Sequence, residues 1–362
     1  MRDLFYVPDT YFLSHSVGCL PITSGDALMA QFLEPWISGS NWMDWMPIFD
    51  EFRAGMAELL DVKSESICPQ NNISSALTKV LFSLPQERGR NVIVLSKQDF
   101  PTIGFVIKQA ERQGYKLRFV EGDPTHIETW EAAIDGRVAV AHITHATSNT
   151  SHILPVKDIA GLAKSNGAVS IVDVAQSLGA VPVDISVWGV DFAIGTGVKF
   201  LCFGPGACFL YVAPHILKRC EPIDVGWFSH QNPFEMAIEN FRYADDALRF
   251  FGGTPSPAPF VMANNAMKIW QATTPHHTHN RIETCLSRLC DHVDQEMIVS
   301  PIQPKARGAT FVVSPDNRLA LHDKLKAKAI RYDEREEGFR FSIHGYTSDQ
   351  DLDVLLGAIL EI

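Results

Sequence analysis

Short apolar runs alternate with longer stretches of helical periodicity along most of this 362-residue chain. The runs are Asn91-Val-Ile-Val-Leu-Ser96, Lys116-Leu-Arg-Phe-Val120, Val138-Ala-Val-Ala-His-Ile143, Val169-Ser-Ile-Val172, Phe192-Ala-Ile194 and Ala207-Cys-Phe-Leu-Tyr-Val212. Each has the length of a strand and is apolar at most positions, the pattern expected where both faces of a parallel sheet are covered. Between them, Ile103 to Gln113 and Val156 to Asn166 read as helices, and Gly167 supplies the stop for the second. The alternation predicts an α/β fold whose large domain, a mostly parallel sheet between helices, spans residues 15–255 behind an N-terminal segment 1–14.

After Gly252-Gly-Thr-Pro-Ser-Pro-Ala-Pro259 the pattern changes. A long helical stretch leads to Ala309-Thr-Phe-Val-Val313, a helix near His322 to Ala329, Gly338-Phe-Arg-Phe-Ser342 and a closing helix from Ser348. Residues 256–362 therefore read as a smaller α+β C-terminal domain.

Composition narrows the class. With 46% hydrophobic and 20% charged residues and no apolar run of membrane-spanning length, the chain reads as a soluble enzyme with no membrane partner. A net charge of -11 without Lys/Arg clusters argues against nucleic acid, while leaving room for a local pocket for a small anion. Seven cysteines, an odd number without framework spacing, and a start lacking an export signal predict reduced thiols and a cytoplasmic location.

Two motifs are set aside. Gly195-Thr-Gly-Val-Lys199 is not a nucleotide phosphate loop, because Val198 precedes the lysine and Phe200 takes the place of the Ser/Thr that would bind magnesium. Pro275-His-His-Thr-His279 with Cys285, Cys290 and His292 has no zinc-ligand spacing and reads as a solvated helix start, so no metal is expected.

The chemistry concentrates in two residues just past apolar runs, Asp173 and Lys199. A lysine amine can hold an aldehyde as a Schiff base, and a carboxylate can keep a pyridine nitrogen protonated so that the ring accepts electrons; together they suit pyridoxal 5'-phosphate. Phe200, Leu201 and Phe203 would desolvate the amine, lowering its pKa and keeping it nucleophilic. Asp173 would lie at the strand edge where open α/β sheets place ligands, with Gln176 one helical turn on. Taken singly, Asp173 could merely cap a helix and Lys199 point to solvent.

The sequence also resembles the class V aminotransferase group of fold-type I pyridoxal phosphate enzymes, most closely the kynureninases, over nearly its whole length. Asp173-Val-Ala-Gln176 matches Asp-x-Ala-His/Gln, Lys199 the Schiff-base lysine, and Gly204-Pro-Gly206 the turn after it. His15-Ser-Val-Gly18, Phe100-Pro-Thr102, Gly226-Trp-Phe-Ser-His230 and Arg307-Gly308 match further motifs. The resemblance implies a seven-stranded, mostly parallel sheet, catalytic Lys199 and Asp173, and a ring-stacking Phe100. It places Ser74 and Thr196 near the phosphate, Thr147 and Ser148 near the phenolic oxygen, and Ile73 among the cofactor's contacts. Gln176 joins them, and His15 and Arg340 would contact substrate, Arg340 through its carboxylate. Trp227 and Thr254 would reach a partner's phosphate, implying a homodimer with active sites at the subunit interface. The alternatives from the residues alone are an N-cap serine at 74, a surface arginine at 340, a buried aromatic at 227 and a turn residue at 254.

Three positions depart from the kynureninase pattern: Ile103 stands where an acid is usual, Val198 where a tyrosine is usual and His15 where the entrance motif usually has asparagine. The expected activity is hydrolysis of a Cβ–Cγ bond in a kynurenine-like amino acid, with amino-group transfer as the alternative and cofactor binding without turnover as a third reading. Cysteine desulfuration ranks low, since no cysteine follows Cys290. Trp42, Trp45, Trp227 and Phe228 could line an aromatic-substrate pocket or, as tryptophans more often do, pack in a core or interface.

Overall fold

The computed structural model describes residues 1–273 and 275–362, with no description of the side chains of 275–277, where part of the histidine run falls. Its centre is a seven-stranded sheet built from Ile67–Gln70 (β1), Val92–Leu95 (β2), Lys116–Phe119 (β3), Val138–Thr144 (β4), Val169–Asp173 (β5), Phe192–Thr196 (β6) and Cys208–Val212 (β7). The spatial order is β1-β7-β6-β5-β4-β2-β3, with β7 antiparallel to both neighbours and the other pairings parallel. The six apolar runs are six of these strands. β1 carries Pro69, which hides it in the sequence; as an edge strand paired only with β7 it tolerates a residue lacking an N–H.

Helices Trp42–Leu60 (α1), Ile73–Leu81 (α2), Pro101–Gln109 (α3) and Val156–Ser165 (α4) bury apolar faces on the sheet. The helix after the proline-rich turn, Pro257–Ala272 (α5), packs against α1 and places Phe260, Val261, Met267 and Trp270 in this same core. The passage to the second core therefore falls after α5.

That second core lies around an antiparallel sheet of Thr310–Val313 (β8), Asp333–Glu334 (β9) and Phe339–Ser342 (β10), with β10 in the middle. Helices Arg318–Ala327 (α6) and Asp349–Ile359 (α7) pack their leucines against it. The first twenty-odd residues strap the two parts together. Phe12 is wholly buried in the second core, its N–H donating to Arg331 O and its carbonyl accepting from Ser342 N. Six residues on, Gly18 N–H donates to Val198 O, beside the lysine. A Cβ on Gly18 would stand 2.1 Å from the Lys199 carbonyl oxygen, so the close approach requires glycine there.

Candidate active site

In a parallel sheet the carboxyl ends of the strands share one edge, and here that edge carries the chemistry. Thr144 ends β4, Asp173 ends β5 in register beside it, and Thr196 ends β6, three residues before Lys199. They line a cavity of about 310 Å³ with Ile73, Ser74, Phe100, Ser148, Gln176 and Lys199.

The electrostatics follow from burial. Desolvation pulls the Lys199 amine from 10.5 to about 8, and the Asp173 carboxylate offsets only part of that. Burial likewise pushes Asp173 upward, against the pull of His142, the Ala175 N–H donated to its Oδ1 at 2.8 Å, and Lys199. Lys199 Nζ lies 5.6 Å from the Phe100 ring centroid, so the aromatic face and the amine border the same space. A consequence is measurable: the rate at which added pyridoxal phosphate produces a lysine-dependent visible band should rise with pH and level off near 8. A rise continuing to 10.5 would show a solvated amine.

Helix α2 begins at the wall of the cavity. Asn72, not Ser74, is its N-cap, accepting from Ser75 N–H at 2.8 Å. Ser74 is thereby left inside the first turn, where backbone N–H groups lack intrahelical partners and favour an anion. Thr196 faces the same cavity.

The remaining candidates divide. Ser148 lines the cavity, whereas the Thr147 hydroxyl pairs with Thr150 Oγ1 at 2.9 Å and accepts from His152 N–H, away from it. Gln176 donates to His15 O at 3.2 Å, leaving its Oε1 buried and unpartnered. His15 and Arg340 meet at the joint between the two cores, both buried, with His15 N–H donating to Ser342 Oγ at 3.1 Å. Burial lowers His15 to about 4 and Arg340 to about 10, so at neutral pH the first is uncharged and the second charged. Trp227 donates to Thr254 Oγ1 at 3.0 Å, and neither lines the Lys199 cavity.

Trp42 stacks edge-on against Trp45, Trp227 and Phe228 at 5.6, 5.5 and 5.8 Å, and none of the four lines that cavity. Ile103 and Val198, two of the three departures, both do. Thr144, Asn72 and Cys208 were missed by sequence reasoning and also line it. Thr144 had a usable signal, since it follows its apolar run as Asp173 follows the next one.

The sequence pattern of the family described as Aminotransferase class-V matches residues 40–330. The chain belongs to that family. Membership makes it a pyridoxal phosphate-dependent enzyme, in agreement with the acid and lysine at the strand ends. A kynureninase of Pseudomonas fluorescens is 25% identical, covering 100% of this chain and 92% of its own. A kynureninase of Deinococcus radiodurans is 36% identical over 63% of this chain, a match spanning only 55% of that protein. An uncharacterized aminotransferase of Bacillus subtilis is 23% identical over 87% of this chain and 84% of its own. Among solved structures, C-DES with glycine covalently linked to its PLP cofactor is 22% identical with a TM-score of 0.88, covering 100% and 99% of the two chains. A cysteine desulfurase from Thermococcus onnurineus is 19% identical with a TM-score of 0.85, covering 98% and 94%. At such identities these two likenesses concern the fold.

The cavity's own residues fit the cofactor. Thr144 Oγ1 and Gln176 Oε1 are buried polar atoms without partners, the α2 N-terminus offers free N–H groups, and Phe100 offers a flat face. Among the described residues no group of His, Cys, Asp and Glu is arranged for a metal, and no helix is long and apolar enough to span a membrane.

Proposed function

We propose that the enzyme hydrolyses the Cβ–Cγ bond of an amino acid carrying a γ-carbonyl, as a kynureninase does. The observation that carries this reading is the desolvated Lys199 amine, pulled to about 8, in a cavity that also holds Asp173. The relatives named kynureninase support the reaction class. The bound cofactor would supply an aldehyde for the substrate amine and a ring that accepts electrons.

The chain's own residues do the rest. Lys199 would anchor the cofactor and, once displaced by the substrate amine, would take the α-proton as general base and give a proton back as acid. Its lowered pKa leaves an appreciable uncharged fraction at neutral pH. Asp173 would hold a negative charge against the pyridine nitrogen, Ser74 and Thr196 would bind the phosphate, and Phe100 would cover the ring. Ser148 faces the phenolic side, and Gln176 steadies the strap that carries His15. Arg340 orients the substrate carboxylate with its two-pronged donor edge. The apolar walls at Ile103 and Val198 favour an uncharged substrate side chain next to the ring.

Amino-group transfer is the second reading, favoured by the aminotransferase relative of Bacillus subtilis. Incubation with kynurenine and with a panel of amino acids separates the two. Release of an anthranilate-type product without build-up of the amine form of the cofactor is expected; build-up of the amine form without that product would decide for transfer.

The proposal includes a homodimer. Trp227 lies in an apolar groove with Met236 and Ile238, which are 70% and 97% exposed. Large apolar groups so exposed suit a self-complementary interface that would bring Trp227 and Thr254 to a partner's phosphate. The seven cysteines are free and buried, in keeping with a cytoplasmic enzyme.

A further inference from the structure

At the joint between the two cores, Arg340 Nε and Nη1 and both ring nitrogens of His15 are buried without hydrogen-bond partners. Arg340 is 2% exposed, and its ion-pair partner is Asp333, whose Oδ2 lies 3.1 Å from Nη1. The two residues face each other across β9 and β10 in register. Their separation suits an ion pair, but Nη1 is not aligned as a hydrogen-bond donor, so the planar donor edge is left unsatisfied.

Asp333 has another cation at hand. Arg335 Nε donates to the same oxygen at 3.2 Å, and both side chains are partly open, at 30% for Asp333 and 42% for Arg335. His15 Nε2, at 3.7 Å, is too far for a hydrogen bond, and burial keeps its ring uncharged at neutral pH. A carboxylate arriving at Arg340 therefore meets a carboxylate already there, and a like charge at that range disfavours it.

We propose that Asp333 is the resident counter-ion of Arg340 and competes with a ligand's carboxylate for it, moving over to Arg335 when the ligand binds. Asp333 thereby sets how tightly carboxylates are held. The inference rests on reading Arg340 as the carboxylate site. It makes Asp333 a specificity-determining residue: without it, a buried arginine would retain any small carboxylate.

The test uses the holoenzyme, titrated by calorimetry with benzoate and with uncharged benzamide. Asp333→Asn should tighten benzoate about five- to tenfold and leave benzamide unchanged, while Asp333→Glu, which keeps the charge, stays within about twofold of the wild type. If Asp333 only positioned Arg340, Asp333→Asn would weaken benzoate instead; equal or weaker binding overturns the proposal. Arg340→Gln in the Asp333→Asn background should remove the gain, and a gain that survives also overturns it. Arg340→Gln alone tests the carboxylate assignment separately, through loss of the preference for benzoate over benzamide.

Discussion

Lys199→Ala protein mixed with pyridoxal phosphate should show no visible band of the lysine-bound cofactor, and turnover should fall by at least about 10²–10⁴-fold, the scale of a lost general acid/base. The loss is expected to be chemical and not structural. Lys199 brings a buried amine to the cavity, and its desolvation disfavours the charged form. Alanine removes that penalty and keeps the carbonyl at 199 that accepts from Cys202 N–H, while Gly18 N–H still donates to Val198 O next door. The melting temperature of Lys199→Ala should therefore equal or exceed that of the wild type, as at sites where function is held against stability. A variant that keeps the band, or keeps turnover within about tenfold, would remove Lys199 from the chemistry.

Asp173→Asn should separate binding from catalysis. Asparagine is close in shape and can still accept the Ala175 N–H that now reaches Oδ1 at 2.8 Å. Only the charge is lost. The visible band should form, since Lys199 is intact, while turnover falls by about 10²–10³-fold because the ring no longer faces a fixed negative charge. Burial already disfavours that charge, so the variant should be no less stable than the wild type. Turnover within about threefold of the wild type would mean that the charge of Asp173 is not what activates the ring.

Asp173 and Lys199 were legible because strands buried on both faces are mostly apolar, which makes a charged residue at or just past the end of a run conspicuous. The same logic exposed six of the seven central strands. It failed for Ile67–Gln70, where the proline that would disqualify a central strand is harmless at an edge. Asn72 was missed because capping depends on where α2 begins, and a run of Asn71, Asn72, Ser74 and Ser75 offers several equivalent starts. Asp333 could not be found at all. Its strand is two residues long and charged, without periodicity, and its importance comes from Arg340 across the sheet. The tryptophans were ambiguous for a different reason: composition records that they exist, and only packing shows that Trp42 gathers the others away from Lys199.

The strap of residues before Gly18 has a consequence for how the protein is made. His15 meets Ser342 across 327 positions of sequence, and Gly18 holds the lysine loop from the same strand of chain. During synthesis the sheet can form once β7 has emerged, yet the Phe12 end of the strap has nowhere to dock until β10 exists. The active site is therefore finished late and by its earliest-made part, a long-range closure that is slow by nature. Until then Arg340 is missing from the joint beside the lysine, and the apolar face of Phe12 waits exposed.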